Sequence, residues 1–401
     1  IPRDPGMALL VLIATVVAGV RVGDRLDRSP LDTLHLEIHP DGNTIPIPLD
    51  HETTLRRMQR VLNMSSMIET NTMDCKLAKP LKNEYLGKIG YIFMLKDRMT
   101  NWRMWRDFFA TARNGTWIAY VHYAKRRPDY LHRIPFEHIV LPTVPTKWCD
   151  LQLVQITGLE AALLDPDVTG TIFLSDSHAP LRTADEIYAE LAPSRLSIFK
   201  PHRNVDSNYK AEFWSYLIRH DIIALVNDYR NLGGSEIADS FVRQTINITK
   251  MLSKQGCVEE YYPLYALTRN NIEVEFSSRM IYVEWEPWNL FTKDEYRGDT
   301  RYHPAEFLKI KKSTFLRLRA CSVFMRKITR ETRMIHSTSK NESFIHYLRR
   351  EVLKSQFYSA PKKQAVVLNI GTDLNNLSTE TITQLENLDR RRYTPYVIYE
   401  G

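Results

Sequence analysis

The 401-residue sequence lacks the short motifs of several common nucleotide and metal sites. It has no Gly-x-Gly-x-x-Gly and no Gly-x-x-x-x-Gly-Lys-Ser/Thr, so neither the dinucleotide fingerprint nor the P-loop is predicted. It has only four cysteines and no Cys-x-x-Cys pair, which argues against a structural zinc site. Cysteine usage leaves the cellular compartment open, because these residues can form at most two disulfides: Cys75, Cys149, Cys257 and Cys321.

Long hydrophobic runs are also scarce. The strongest, Met7–Val20, is uncharged, and arginines flank it on both sides. Its fourteen residues are too few to span a bilayer comfortably, because a transmembrane helix needs about 20 apolar residues. We therefore interpret residues 1–22 as a signal, anchor or organelle-targeting segment, or as a helix buried against a partner. This segment is the candidate membrane contact.

The chain has a modest excess of positive charge. Lysine and arginine number 54 against 47 acidic residues, which gives a net charge of +7. This balance fits an anionic partner such as a nucleotide diphosphate, a membrane surface or nucleic acid, and equally an ordinary mixed surface. Nucleic acid is not the expected partner, because the sequence has no aromatic-basic RNP pattern. Five glycosylation sequons permit modification in a secretory lumen: Asn63, Asn114, Asn247, Asn341 and Asn376.

Hydrophobic patterning divides the chain into four parts. After residue 22, alternating apolar residues over 34–49 with a central Pro-Asp-Gly-Asn turn predict a hairpin, so we interpret 23–84 as a stem. The main domain is assigned to 85–332. Residues 333–401 are assigned to a C-terminal extension whose basic clusters, like the stem, are candidate contacts for protein partners.

Within the main domain, strands alternate with helices. This rhythm predicts an α/β fold with a mainly parallel central sheet and covered faces. Beyond residue 200 the order changes, and residues 212–227 carry a helical period. The predicted strands are 89–95, 117–123, 139–141 and 172–174, and the predicted helices are 102–112, 152–164 and 184–191.

A polar loop follows the strand at 172–174 and forms the first candidate site. Ser175, Asp176, Ser177 and His178 come directly after the apolar run and before a proline. In open α/β sheets, ligands bind at the carboxyl ends of the strands. The same pattern also occurs in ordinary turns between a strand and a helix.

A second candidate site is the segment Glu259–Pro263, in which two carboxylates precede two tyrosines and a proline. A carboxylate shielded by aromatic rings acquires a raised pKa and can act as a general base. We predict that Glu260 is more shielded than Glu259, because the tyrosines follow it directly. The alternative is a charged helix start.

Several segments occur in an order known from one protein family. Phe173–Leu181 is similar to Leu-Leu-Ser-Glu-Ser-x-x-Pro-Leu, Glu259–Pro263 to Asp-Glu-His-Tyr-x-Pro, and Phe324–Lys327 to Phe-Ala-Arg/Asn-Lys. Over residues 86–330 the chain thereby resembles the core-2/I-branching β-1,6-N-acetylglucosaminyltransferases and their plant relatives. Further matches are the opening strand with Trp105–Phe109, Tyr120–His122, Trp148, Lys210–Trp214, Val283–Trp285 and His303–Phe307.

The resemblance implies a GT-A-like nucleotide-sugar-binding fold and an inverting, metal-independent transfer. The donor would be a UDP-sugar, with N-acetylglucosamine as the expected sugar, the acceptor a glycan, and no cofactor is expected. Glu260 corresponds to the family's catalytic base. The implied donor-binding residues are Ser175, Asp176, Ser177, Arg319, Arg326 and Lys327, and the implied acceptor-binding residues are Glu212, Trp214 and Trp285.

One Asp-x-Asp occurs, at Asp165–Asp167, but it precedes a strand, whereas a metal-binding pair is expected after one. No metal is therefore expected there. A departure from the family pattern falls at Ala211 and Glu212, where the family has Gly-Ser before its aromatic residues.

Two function hypotheses follow. The first is an active glycosyltransferase in a Golgi or secretory membrane, with type II topology. The second is a protein of the same fold that has lost turnover and serves as an accessory subunit of a larger assembly, including one at an organellar membrane, since a fold does not determine a function.

Overall fold

A computed structural model gives the fold of the chain. Clustering of internal contacts divides the chain into residues 1–46 and 47–401, and all described residues belong to the second unit. The predicted segment 1–22 and the predicted hairpin over 34–49 lie outside the described residues. The structure describes residues 50, 52–54, 56–58, 84–125, 134–147, 150–200, 211–231, 257–277, 279–283, 291–298, 304–336, 341–355, 367–369 and 396–398.

A seven-stranded sheet forms the centre of this unit. Its strands are β1 (Lys88–Leu95), β2 (Trp117–Tyr123), β3 (Ile139–Val140), β4 (Val168–Ser175), β6 (Ser197–Phe199), β7 (Tyr216–Ile218) and β8 (Val274–Phe276). Their order is β3-β2-β1-β4-β7-β6-β8, and only the two pairings that involve β7 are antiparallel. The predicted α/β class with a mainly parallel sheet is confirmed.

Helices cover the sheet. They are α1 (Trp102–Phe109), α2 (Gln152–Leu163), α3 (Ala184–Leu191), α4 (Arg219–Asn231) and α5 (Tyr262–Arg269), followed by α6 (Lys312–Cys321) and the short α7 (Phe344–Tyr347). The aromatic side chains of α1 pack against Tyr91 and Phe93 of β1. Helix α2 approaches β1 so closely that a Cβ on Gly158 would stand 2.8 Å from Cγ2 of Ile92, which explains a glycine in mid-helix.

Three smaller sheets accompany the central sheet in the described residues. The strand β12 (Phe324–Arg326) lies between β5 (Ala179–Pro180) and β9 (Ile281–Val283). Because β5 follows β4 by only three residues, this sheet brings Arg326 to the end of β4. The four-stranded sheet consists of β10 (Tyr296–Arg297), β11 (Glu306–Lys311), β13 (Ile328–Ile335) and β14 (Glu342–Ser343), and a two-stranded sheet pairs β15 (Val367–Asn369) with β16 (Tyr396–Ile398).

The boundary predicted at residue 332 falls inside β13. The chain then continues into the same core, where Phe344, Leu348 and Val352 are buried. Arg349 forms an ion pair with Asp107 of α1, whose side chain is fully buried. Residues 341–355 thus pack against the main unit, because their apolar residues and one buried charge require partners there.

Segment 212–227 differs from its helical prediction. It begins with extended backbone and the strand β7, and the helix α4 starts only at Arg219. Tyr216 and Leu217 are buried between β4 and β6, so that sheet pairing overrides the helical period over these residues.

Cys257 and Cys321 are disulfide-bonded. None of the helices in the described part of the chain is long and apolar enough to cross a bilayer.

Candidate functional site

The carboxyl ends of β1 and β4 meet at the centre of the large sheet. The two strands are neighbours, and Met94 lies opposite Ser175. The chain proceeds from β1 to β2 and β3 on one side and returns to β4 on the other, so the strand order reverses between β1 and β4. Such a reversal opens a crevice at the carboxyl edge, where ligands bind in α/β sheets.

Acidic residues follow both strands at this crevice. Asp97 comes after β1 and Asp176 after β4, and each side chain is half-buried. Burial and the neighbouring Asp97 raise the pKa of Asp176, while Arg326 opposes this rise. The crevice therefore contains two carboxylates, Asp97 and Asp176, whose charges interact.

The antiparallel strand β7 adds a third chain segment to the same edge. Tyr216 lies opposite Ile172 of β4, and Ile218 lies opposite Gly170. Because an antiparallel strand starts where its parallel neighbours end, the residues before Tyr216 lie at the carboxyl edge. The sheet topology thereby places Glu212 and Trp214 near the end of β4.

Arg326 is the centre of this cluster. The carboxylates of Glu212, Glu260 and Asp176 all act on its guanidinium, yet burial outweighs them and lowers the pKa of Arg326 to about 10. The peptide bond that follows Arg326 is cis. Asp176 and Glu260, which are 84 positions apart in sequence, thus both act on the same cation.

The ring of Trp214 packs against the guanidinium of Arg326. The Arg326 Cζ lies 4.4 Å from the centroid of the Trp214 ring, a cation–π geometry. The edge of Trp214 meets the ring of His178, with 4.4 Å between centroids. Trp214 is only 8% exposed, so its observed contacts are with protein side chains.

His178 is fixed by Ser175. Its Nδ1 accepts hydrogen bonds from the Ser175 backbone N–H at 2.9 Å and from the Ser175 hydroxyl at 2.8 Å. The Ser175 hydroxyl also lies 3.0 Å from that of Ser177. Full burial and the charge of Arg326 lower the pKa of His178 well below its usual value, so the imidazole is neutral.

The burial of Glu259 and Glu260 is the reverse of the prediction. Glu259 is 3% exposed, whereas Glu260 is half-buried. Both lie in a single 3-10 turn, Val258–Glu260, which directs the first carboxylate into the protein and the second towards Arg326. Burial, with Glu260 and Asp150 nearby, raises the pKa of Glu259 to about 7.

The remaining predicted residues are distributed unevenly. Lys327 is half-buried, and burial and Arg326 lower its pKa, while Glu306 and Asp176 oppose that change. Arg319 forms its ion pair with Glu186, at 3.1 Å, in the first turn of α3. The structure thus brings Lys327 to the cluster and gives Arg319 a partner on a helix. Trp285 lies outside the described residues.

The Asp-x-Asp pair lies at the opposite edge of the sheet. Lys88, at the start of β1, contacts Asp165 at 2.8 Å and Asp167 at 3.5 Å. Both aspartates precede β4, so they are at its amino end. Among the described residues, no group of three or more His, Cys, Asp or Glu side chains forms a potential metal site.

Two residues of the cluster were not predicted. Asp97 follows a buried strand in the same way as Asp176, so the rule that identified the 175–178 loop also applies to it. Lys200 is 8% exposed, and its Nζ lies 5.7 Å from the Tyr282 ring centroid and 3.4 Å from the Val283 carbonyl oxygen. No local pattern distinguishes it from other lysines.

The cluster combines the groups that are required to displace a phosphate leaving group from the anomeric carbon of a sugar. Half-buried carboxylates can accept a proton, and the adjacent cations can stabilise an anionic leaving group. The same groups also suit simple anion binding.

Comparisons with known proteins give a partial structural likeness. No protein-family model matches the chain, and no curated protein matches its sequence. Among solved structures, the chain is similar to the galactosyltransferase LgtC, crystallised with donor and acceptor sugar analogues. That likeness covers 48% of this chain and 75% of the other, at 10% identity and a TM-score of 0.31.

Proposed function

We propose that the chain is an inverting, metal-independent glycosyltransferase that transfers a sugar, N-acetylglucosamine in our assignment, from a UDP donor to a glycan. The observation that carries this proposal is the convergence of Asp176, Glu260 and Glu212 on Arg326 at the carboxyl edge of the sheet. The order of motifs that resemble the core-2/I-branching family supports the same activity.

In this proposal Glu260 is the general base. The residue is partly exposed, and its charge acts on Arg326 of the cluster. Arg326 places a positive charge near Glu260, and a general base must be ionised before it accepts a proton. Inversion requires one such base on the side of the sugar opposite the leaving group.

Lys327 and Arg326 supply positive charge for the departing UDP diphosphate. Cations in a partly desolvated cleft stabilise the charge that develops on a leaving group, a role that a metal ion fills in other enzymes. Ser175 and Ser177 lie beside them with hydroxyl groups that can donate to phosphate oxygens. Glu212 and Trp285 are assigned to acceptor binding. Trp214 is assigned there too, and it acts indirectly through its contact with Arg326.

A second candidate function is that of an accessory subunit with the same fold and no turnover. One observation favours it: Glu212 is 2% exposed and acts on Arg326, so a protein carboxylate already balances a cation that the donor diphosphate needs. In that case the stem and the C-terminal residues would contact protein partners.

We assign the protein to a secretory membrane. Disulfides persist in oxidising compartments, and Cys257 and Cys321 are both disulfide-bonded. Two of the five sequon asparagines, Asn114 and Asn341, are exposed in the described part of the chain. The apolar run Met7–Val20 would supply the type II anchor, with an organellar membrane as the alternative.

Calorimetric titration with UDP tests the proposal. We expect the wild-type protein to bind UDP and Lys327→Ala to bind it about tenfold or more weakly, because a charge-assisted hydrogen bond contributes about 1.5–3 kcal/mol. The control is Lys309→Ala, since Lys309 forms a surface ion pair with Asp294 at 3.3 Å, and it should leave UDP binding unchanged. Absence of UDP binding to any form of the protein would reject the enzyme and favour the accessory subunit.

A further inference from the structure

The loop Ser175–His178 contains a chain of three hydrogen-bonded side chains. The Ser177 Oγ lies 3.0 Å from the Ser175 Oγ, and the Ser175 Oγ lies 2.8 Å from Nδ1 of His178. Nδ1 also accepts a hydrogen bond from the Ser175 backbone N–H at 2.9 Å. His178 stands at a position that the resembled family pattern leaves open, so the resemblance assigns no role to it.

The backbone contact fixes the direction of each hydrogen bond in this chain. A backbone N–H can only donate, so Nδ1 carries no hydrogen and the proton of the neutral ring is on Nε2. Because Nδ1 cannot donate, the Ser175 hydroxyl donates to it. That hydroxyl has a single hydrogen, so its oxygen accepts the hydrogen of Ser177. The chain therefore runs from Ser177 through Ser175 to His178, and both hydroxyl hydrogens are used within the loop.

Protein contacts hold this arrangement in place. Burial lowers the pKa of His178 well below its usual value, so the ring stays neutral. The carbonyl oxygen of Ser175 accepts the His178 N–H at 3.2 Å, and that of Ser177 accepts the Ile328 N–H at 2.8 Å. A ligand that took the Ser175 hydrogen would thus have to compete with a fixed, buried acceptor.

The loop accordingly offers hydrogen-bond acceptors to the crevice. Since the Ser177 hydrogen is donated to Ser175, the partly exposed Ser177 oxygen has lone pairs left for a ligand. Asp176, between the two serines, is half-buried, and a carboxylate can only accept. Phosphate oxygens also accept, whereas the hydroxyl groups of a sugar can donate. This edge of the crevice therefore suits hydroxyl groups better than a phosphate.

We propose that His178 is a positioning residue that orients the Ser175 and Ser177 hydroxyls, so that the loop accepts hydrogen bonds from ligand hydroxyl groups. This narrows the donor-binding role of the two serines from the diphosphate to the hydroxyls of the donor, on its ribose or on the transferred sugar. The ligand class rests on the proposed function, whereas the direction of the chain rests on the hydrogen bonds above.

Calorimetry with modified ligands tests the direction of the contact in the wild-type protein. UDP is compared with analogues that lack one ribose hydroxyl, and UDP-N-acetylglucosamine with analogues that lack one sugar hydroxyl. At least one deoxy analogue should bind about threefold to tenfold more weakly, the effect of one neutral hydrogen bond, and its series identifies the source of the hydroxyl. Fluorine cannot donate, so the matching fluoro analogue should bind as weakly as the deoxy one. Equal binding of all analogues, or affinity retained by the fluoro analogue, would overturn the proposal.

Variants of His178 test its part in this selectivity. His178→Phe keeps an aromatic ring but removes the acceptor, so the difference between the hydroxyl ligand and its deoxy analogue should shrink to less than about twofold. His178→Asn offers an amide oxygen in place of Nδ1 and should restore the difference. The control is His122→Phe, since His122 is equally buried and accepts the Val144 N–H at 3.2 Å, and it should leave the selectivity unchanged.

A further variant keeps the test decisive if His178→Phe folds poorly. Ser177→Ala removes the accepting oxygen from a partly exposed position and should abolish the same selectivity. Wild-type selectivity in Ser177→Ala, or in folded His178→Phe, would contradict the proposal.

NMR of ¹⁵N-labelled histidine gives a readout without ligand, because the nitrogen shift reports which ring nitrogen carries the proton. The signals of His178 are those missing from His178→Asn. We expect a bare Nδ1 and a protonated Nε2, and a shift of the Nδ1 signal in Ser175→Ala. If no form binds UDP or its sugar derivative, the glycosyltransferase proposal fails and this NMR result alone decides the direction of the chain. A proton on Nδ1 overturns that direction whatever the binding results.

Discussion

In the proposed reaction Glu260 is the general base, and a single substitution tests this role. Glu260→Gln removes the base but keeps the size of the side chain, so the fold and UDP binding should persist. General base catalysis typically contributes about 10²–10⁴ in rate, so we expect sugar transfer to fall by about 10² or more. Transfer assays with radiolabelled donor measure this loss. Undiminished turnover would remove Glu260 from the mechanism.

Its neighbour Glu259 should instead affect stability in a pH-dependent way. Burial raises its pKa from 4.5 to about 7 in the folded protein, so between those values the unfolded chain loses a proton that the folded protein retains. The contribution of Glu259 to the free energy of unfolding therefore falls as pH rises from about 4.5 to about 7, by about 3 kcal/mol in total.

Glu259→Gln cannot ionise, so it should gain stability relative to the wild type over the same pH interval. Urea unfolding of both proteins at pH 4.5 and pH 7.5 measures the difference. A constant difference between variant and wild type at the two pH values would contradict the raised pKa.

At the scale of elements, one buried ion pair joins the C-terminal segment to the main unit. Arg349 pairs with Asp107 of α1, whose carboxylate also contacts Arg106 at 2.8 Å. Removing one member of a buried pair is strongly destabilising, so Asp107→Asn should cost about 3–5 kcal/mol of unfolding free energy.

The matched control is Asp185→Asn, because Asp185 forms a partly exposed pair with Arg113 at 3.5 Å. Exposed pairs contribute about 0–1 kcal/mol. Chemical denaturation of both variants tests the comparison, and a cost for Asp107→Asn as small as that of the control would show that residues 341–355 do not depend on this contact.

Some elements were predictable because their signals are local. Helix α3 has the predicted bounds, since Thr183 and Glu186 form a reciprocal capping box at its start. Strand β2 was equally clear as a short apolar run between polar turns. By contrast, β7 consists of three residues next to a helix, and its pairing partners in β4 lie more than 40 residues earlier in the chain. No local pattern encodes that pairing.

The site was predictable only in part for the same reason. The rule about strand ends located Asp176, and the family resemblance indicated Glu260 and Lys327. The reversed burial of Glu259 and Glu260 depends on the rotation of one 3-10 turn, which spacing does not reveal. Likewise, the electrostatic effect of Glu212 on Arg326 joins residues more than 110 positions apart.

At the scale of the whole molecule, disulfides bear on both stability and compartment. Cys257 directly precedes the turn that carries Glu259 and Glu260, so its bond restrains the segment that presents the base. Removal of a native disulfide typically costs about 2–5 kcal/mol, and Cys257→Ser should lower stability by an amount in that range.

Alkylation under native conditions followed by mass spectrometry measures the oxidation state directly. In protein made in a secretory pathway, Cys257 and Cys321 should resist iodoacetamide until they are reduced. Labelling of either cysteine without reduction would contradict the disulfides and remove their support for an oxidising compartment.

The direction of strand β4 has a consequence for how the protein tolerates mutation. At its amino end, Asp165 and Asp167 are neutralised by Lys88; at its carboxyl end, Asp176 faces Arg326. The acidic residues at the two ends of β4 thus have different roles: those at the amino end form ion pairs with Lys88, and Asp176 belongs to the candidate site. In a deep mutational scan, changes at Lys88 or Asp165 should reduce the abundance of the protein in cells, whereas Asp176→Asn should leave abundance near normal and alter ligand binding. A plot of abundance against binding would then separate the two edges of the sheet without any structural measurement.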